Sequence, residues 1–196
     1  TEINGGKCNT EEDFYKACRA ASILGTLQAG YTDFKFLTDT SKLIFDREAL
    51  LGVSITGWMN NPDILFDQKI LEKGAKIVKE VNREVAQIIG INPAARTTCV
   101  KPSGNASVLL QTASGIHAEH SNMYIRNVQM NKESEITQAI MKTNPYMVEE
   151  SVWSSTGTDL VVSFPILPKK GSMYKDDLLG IKHLELVKKA QKHWVE

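Results

Sequence analysis

Three things are scarce in this sequence. Its 196 residues hold three cysteines, an odd number and too few for a disulfide framework. Each thiol is open to chemistry or to simple burial, and the usage fits a reducing cytoplasm. An excess of charge of one sign is also missing: Lys+Arg 23 and Asp+Glu 23 give a net charge of zero. A dedicated nucleic-acid binder usually carries a basic excess and a disordered tail an acidic one, so the balance argues against both. No run of about 18 apolar residues occurs, so no membrane span is expected. Residues 1–13 are polar and hold no signal-peptide core.

What is present is an ordinary globular composition, 42% hydrophobic and 23% charged, enough for one domain or two small ones. Asn9 or Thr10 caps a helix whose first turn carries Glu11, Glu12 and Asp13, and Phe14, Ala17, Ala21 and Leu24 follow at helical spacing up to Gly30. A second and longer helix is predicted over 67–89, with a stripe of Ile70, Leu71, Ile77, Val78, Val81, Val85 and Ile88, ended by Gly90 and Pro93. Helices are also expected around 133–143 and 176–195, the last with Leu178, Leu179, Ile181, Leu184, Val187, Ala190 and Trp194 on its apolar face. Strands are predicted at 50–55, 97–100, 123–128 and 160–164. Their alternation with helices indicates an α/β fold with a parallel or mixed sheet. Trp58, Trp153 and Trp194 read as packing anchors.

The segment Thr97-Thr98-Cys99-Val100-Lys101-Pro102-Ser103-Gly104-Asn105-Ala106-Ser107 carries the most chemistry. A strand ends, a loop of Pro, Ser, Gly and Asn follows, and a helix begins at Ala106. Backbone N–H groups at such a helix start, with the Ser103 and Ser107 hydroxyls, suit a phosphate, and Gly104 lets a ligand approach the backbone. The same residues also make a plain strand-to-helix turn with serine caps. The spacing is not that of a Walker loop. Downstream, His117 and His120 stand at i, i+3 without the His-Glu-x-x-His pattern or nearby Cys ligands, so a polar loop is expected there rather than a metal site. Arg126 reads equally as an anion partner or as half of a structural salt bridge.

Taken in order, these segments resemble the catalytic barrel of ribonucleotide reductases, and most nearly the adenosylcobalamin-dependent (class II) ribonucleoside-triphosphate reductases. Thr97–Ser107 is similar to the family's phosphate loop. Ser114-Gly115-Ile116-His117, Tyr124-Ile125-Arg126, residues 24–29, residues 51–57, residues 149–153 and residues 161–166 continue the likeness along nearly the whole chain. The resemblance implies an α/β fold that is part of a ten-stranded α/β barrel, with residues 1–196 a portion incomplete at both ends. It implies reduction of ribonucleoside triphosphates to deoxyribonucleotides by radical chemistry, with adenosylcobalamin as cofactor and a thioredoxin-like reductant as partner.

The family carries Asn-x-Cys-x-Glu, in which the Cys forms the thiyl radical and the Glu acts on the 3′-hydroxyl as general base. Thr1-Glu2-Ile3 looks like the tail of that motif, so the resemblance makes Glu2 the base and places the Asn and the radical Cys before Thr1. None of Cys8, Cys18 and Cys99 has a Glu two residues later. Cys8 is by position the candidate for one of the two reducing thiols; a helix N-terminus and Lys7 nearby are expected to favour its thiolate. Cys18 and Cys99 read as packing residues. The resemblance further assigns substrate phosphate binding to Ser103, Gly104, Asn105, Ala106 and Ser107, and puts His117 on the substrate or cobalamin side of the pocket, against the alternative of a hydrogen-bonded structural histidine. A class I large subunit, which takes its radical from a separate metal subunit, shares the barrel; the Lys-Pro-Ser-Gly-Asn wording favours class II. Without the radical Cys the isolated chain is expected to be inactive and to need an N-terminal part of the same enzyme, as a split-gene product, a segment following an intein or a gene remnant would.

Overall fold

The computed structural model describes residues 1–196, which divide into two compact units, Thr1–Glu119 with Lys169–Glu196, and His120–Pro168. Five strands run β1 Glu2–Asn4, β2 Ser54–Thr56, β3 Tyr124–Asn131, β4 Val148–Glu150 and β5 Asp159–Ile166. Seven helices run α1 Glu11–Ala29, α2 Asp39–Glu48, α3 Pro62–Leu65, α4 Gln68–Ile89, α5 Ala106–Leu109, α6 Glu135–Thr143 and α7 Ile181–His193. No helix is long and apolar enough to cross a membrane.

In the first unit β1 pairs with β2 in parallel, Ile3 opposite Ile55, and Val53 forms a single parallel bridge to Thr98. The predicted strand at 97–100 shrinks to that bridge because the Lys101 N–H turns to Ser54 Oγ at 3.0 Å and Pro102, next along, has no N–H to give. Two long helices flank this small sheet. Thr10 and Asp13 close a capping box on α1, as the acidic first turn suggested. Asp67 Oδ1 accepts from the Ile70 N–H at 3.0 Å to cap α4, and Gly90 ends it in the left-handed region. α1 and α4 pack closely because Gly74 faces Phe14: a Cβ there would stand 2.5 Å from the Phe14 ring. Ser22 Oγ donates to the Val78 carbonyl at 2.7 Å across the same interface. Trp58, Trp194, Phe14, Ile55 and Leu71 form the centre of the core.

Helical periodicity placed some side chains wrongly. Leu24 is 61% exposed, and Leu179, Ile181 and Leu184 also face outward. The last helix starts later than expected, since Gly180 (φ 55°) breaks it from a 3-10 turn at Lys175–Asp177. α2 was not foreseen; Thr38 caps it, and no residue in it is buried.

The second unit is an antiparallel sheet in the order β3-β5-β4, with Val128 opposite Val162 and Val148 opposite the same residue on the other edge. This corrects the expected sheet: the predicted strands belong to two separate sheets, one parallel and one antiparallel. β3 alternates half-buried and exposed residues along its whole length, the pattern of a strand covered on one face, whereas a parallel strand is covered on both. Leu160, Val162 and Thr137 are buried there. Trp153, read as a packing anchor, is 85% exposed, while Trp58 and Trp194 are fully buried and donate their indole N–H to the carbonyls of Ile55 and Cys99.

Candidate functional site

Strand β1 sorts its three residues by the two-residue period. Ile3 enters the core, while Glu2 and Asn4 share the opposite face. Burial pushes the Glu2 carboxyl above its ordinary value, and Lys101, with Nζ 3.8 Å from Oε1, partly offsets that. Lys101 Nζ also donates to the Thr1 carbonyl at 3.1 Å, which fixes the ammonium over the start of the strand. Asn4 Nδ2 donates to the Leu110 carbonyl at 2.8 Å. β1 is thus tied at two points to residues 101–110, and the structure brings Glu2 and the predicted phosphate loop into one neighbourhood.

Within that loop the groups differ from the expectation in detail. Gly104 turns the chain with φ 48°, and the Ala106 N–H closes the turn onto the Ser103 carbonyl at 2.9 Å. Ser103 and Ser107 are buried. Their hydroxyls meet protein partners, Ser103 Oγ with Ser114 Oγ at 2.9 Å and Ser107 Oγ donating to the Gly104 carbonyl at 3.2 Å. Gly104 and Asn105 are the exposed members. The helix that follows, α5, has one turn, so it supplies little dipole to an anion. His117 is exposed and lies edge-on to His183, ring centroids 5.8 Å apart. Arg126 Nη2 donates to the Tyr124 hydroxyl at 3.0 Å. No group of three or more His, Cys, Asp or Glu is placed to hold a metal ion.

Cys8 corrects a local expectation. Its side chain is 3% exposed, and Sγ donates to the Asn4 carbonyl at 3.4 Å. Burial, then Asp13, push the thiol up to about 11, and Lys169 offsets only part of this. Lys7 points to solvent, so neither it nor the helix start makes a thiolate here. Lys169 instead clamps the loop, donating to the Gly6 carbonyl at 3.2 Å, to Asn9 Oδ1 at 2.5 Å and to Asn61 Oδ1. Cys18 is wholly buried with its thiol raised further, and Cys99 is half-buried and raised by the same cause. Because Cys8 rises from 9.0 to about 11 on folding, the stability tied to its protonated form is full below pH 9 and lost as pH climbs to about 11. Iodoacetamide at about pH 8 is expected to modify Cys99 first, Cys8 later and Cys18 last, because access and thiolate fraction both set the rate. Mass mapping of the peptides would overturn this ordering if Cys8 reacted before Cys99.

Asn60 escaped the sequence reading, since in Trp58-Met59-Asn60-Asn61-Pro62 it looks like an ordinary turn residue. It is buried with all its hydrogen-bonding capacity used. Oδ1 accepts from Thr112 Oγ1 at 2.5 Å and from the Ala113 N–H at 2.7 Å, and Nδ2 donates to Glu119 Oε1 at 2.8 Å and Ser172 Oγ at 2.9 Å. Thr56 Oγ1, from β2, accepts the Gly115 N–H at 2.9 Å. Residues 112–115, after the phosphate loop, are thereby pinned over the end of the parallel strands. Gly57, at φ 77°, makes room: a Cβ would stand 1.9 Å from Thr112 Oγ1.

No family model matches the chain. It is similar to a probable adenosylcobalamin-dependent ribonucleoside-triphosphate reductase of Dictyostelium discoideum, 28% identical over 191 residues, 94% of this chain and 24% of that protein. It is also similar to an adenosylcobalamin-dependent ribonucleoside-triphosphate reductase of Euglena gracilis, 24% identical over 159 residues, 80% of this chain and 22% of that one. The crystal structure of a B12-dependent (class II) ribonucleotide reductase superposes with a TM-score of 0.74 at 16% identity, over 94% of this chain and 29% of that one. The chain spans about a quarter of the length of the relatives it matches. In sequence it is thus homologous to a segment of the adenosylcobalamin-dependent ribonucleoside-triphosphate reductases, and its mixed α/β fold is that of the corresponding part of a class II ribonucleotide reductase.

Proposed function

We propose that these residues form part of the ten-stranded catalytic barrel of an adenosylcobalamin-dependent ribonucleoside-triphosphate reductase working in the cytoplasm. The observation that carries this reading is the double tie between β1 and the 101–110 segment, Lys101 to Glu2 and Asn4 to Leu110. It sets a half-buried carboxylate with a raised pKa beside a glycine turn suited to phosphate. In this reading Glu2 takes the proton of the substrate's 3′-hydroxyl. The turn at Ser103, Gly104, Asn105, Ala106 and Ser107 holds the phosphates, through the exposed Gly104–Asn105 backbone rather than the committed serine hydroxyls. His117 borders the pocket.

Cys8 is one of two thiols that together give two electrons and two hydrogens. They close to a disulfide as the 2′-hydroxyl leaves as water and a C2′–H bond forms. A thioredoxin-like dithiol then restores them. A buried, protonated thiol suits hydrogen donation better than nucleophilic attack. Adenosylcobalamin supplies the radical that starts such a reaction. The thiols present do not fit the position that receives it, since none has a Glu two residues on.

The test is reconstitution. Residues 1–196 alone, given adenosylcobalamin, a dithiol and the four ribonucleoside triphosphates, are expected to form no deoxynucleotide. Set in place of the matching segment of a relative, whose own N-terminal part carries Asn-x-Cys and whose own C-terminal part completes the barrel, they are expected to turn over with adenosylcobalamin and no second metal subunit. Activity of residues 1–196 alone, or dependence on a metal subunit, would overturn the reading.

A further inference from the structure

Two buried oxygens of the first unit lack any hydrogen-bond partner, Glu2 Oε2 and Asn4 Oδ1. Both stand on the same face of β1, with side-chain roots about 6.6 Å apart by strand geometry. Leaving such an acceptor unmet is costly inside a protein. The Asn4 amide is not free to turn and cure this. Its Nδ2 donates to the Leu110 carbonyl at 2.8 Å, and a carbonyl accepts only from the nitrogen, so Oδ1 is the end left over. Gly6 lies alongside; a Cβ there would stand 3.3 Å from Asn4 Oδ1 and 2.6 Å from Thr112 Oγ1, so no side chain is admitted beside that oxygen.

We propose that Asn4 is a second substrate contact on β1, its Oδ1 accepting a hydrogen bond from a sugar hydroxyl of the bound nucleotide. The proposal rests on the nucleotide reading above. Two acceptors on one face call for a ligand with two donors. A ribose carries two neighbouring hydroxyls and meets that demand. An ionised phosphate offers only acceptors and is turned away from Glu2 and Asn4 toward Gly104. The pair therefore orients the nucleotide, sugar over β1 and phosphates over the turn. Asn4 moves no proton in this scheme; it fixes the sugar so that Glu2 meets the correct hydroxyl.

The experiment is calorimetric titration of the reconstituted protein with each ribonucleoside triphosphate and its 2′-deoxy and 3′-deoxy analogues. One deoxy analogue is expected to bind about tenfold more weakly than the ribonucleotide, the worth of one neutral hydrogen bond. Asn4→Ala also loses the tie to the Leu110 carbonyl, so it is expected to weaken both ligands by one common factor and the ribonucleotide by about tenfold more, which abolishes the parent's preference over that analogue. Equal weakening of both ligands would mark a structural role and overturn the proposal, as would a variant that binds like the parent. If the parent binds no nucleotide at all, the nucleotide reading itself falls and takes the proposal with it. Should Asn4→Ala fail to fold, the Asn4 side-chain amide resonance of the unaltered protein decides. It is expected to shift with the ribonucleotide and not with that analogue, and identical shifts would overturn the assignment.

Discussion

Glu2→Gln is expected to cut turnover of the reconstituted enzyme by about 10²–10⁴-fold, the usual worth of a positioned general base, without weakening the fold. The two halves of that expectation come from one fact. Burial raises the Glu2 carboxyl above 4.5 in the folded chain. Folding therefore favours its protonated form, so the related stability is present below the unfolded value and is lost as pH rises through the folded one. At neutral pH the ionised carboxylate is a small liability that glutamine removes. A residue that costs stability and is held by Lys101 on a half-buried strand face fits a chemical role better than a structural one. The same shift places the acid limb of kcat/KM above the ordinary carboxylate midpoint. Lys101→Met is expected to move the limb further up, since the ammonium lowers the Glu2 value. Undiminished turnover in Glu2→Gln, measured with the thermal midpoint of the same preparation, would remove Glu2 from the reaction.

The largest loss of stability is expected at a residue without charge. Asn60→Leu keeps the volume and deletes four hydrogen bonds, those to the Ala113 N–H, the Thr112 and Ser172 hydroxyls and Glu119 Oε1. Each buried polar group left short costs about 1–3 kcal/mol, so a total of about 3–5 kcal/mol is expected after some relaxation. An unfolding free energy from urea titration within about 1 kcal/mol of the parent would show that the 112–115 segment is held by other contacts. Because that segment follows the phosphate turn, partial loss at Asn60 should also appear as weaker nucleotide binding before it appears as unfolding.

How far the sequence foretold this molecule depended on whether a feature is written locally. α1 and α4 are bounded by side chains that act on their own backbone, Thr10 with Asp13, Asp67, and Gly90, and these helices came out within a residue or two of expectation. α2 lacks a buried stripe to announce it. β1 is three residues long, too short for alternation to register, and exists because β2 lies beside it. Strand partners are a tertiary choice, so β3 and β5 were foreseen as strands but not as an antiparallel pair. The roles proposed for Glu2 and the 103–107 turn come from family resemblance. The environment of Cys8 was not legible in the sequence, because it is set by packing in the core and by the charge of Lys169, distant in sequence. Asn60 carries no local signal: its partners come from residues 112–119 and from Ser172.

The His120–Pro168 excursion leaves the first unit after Glu119 and returns at Lys169, and its exits are already stitched together. The Glu119 N–H donates to the Met173 carbonyl at 3.0 Å, and the Lys175 N–H to the Glu119 carbonyl at 2.9 Å. The gap to be closed is thus set by the first unit and does not grow with whatever lies between. Lengthening or trimming the excursion changes its closure entropy only logarithmically. A lineage can rewrite this stretch as a replaceable cassette while the packing around Trp58 and Trp194 stays as it is.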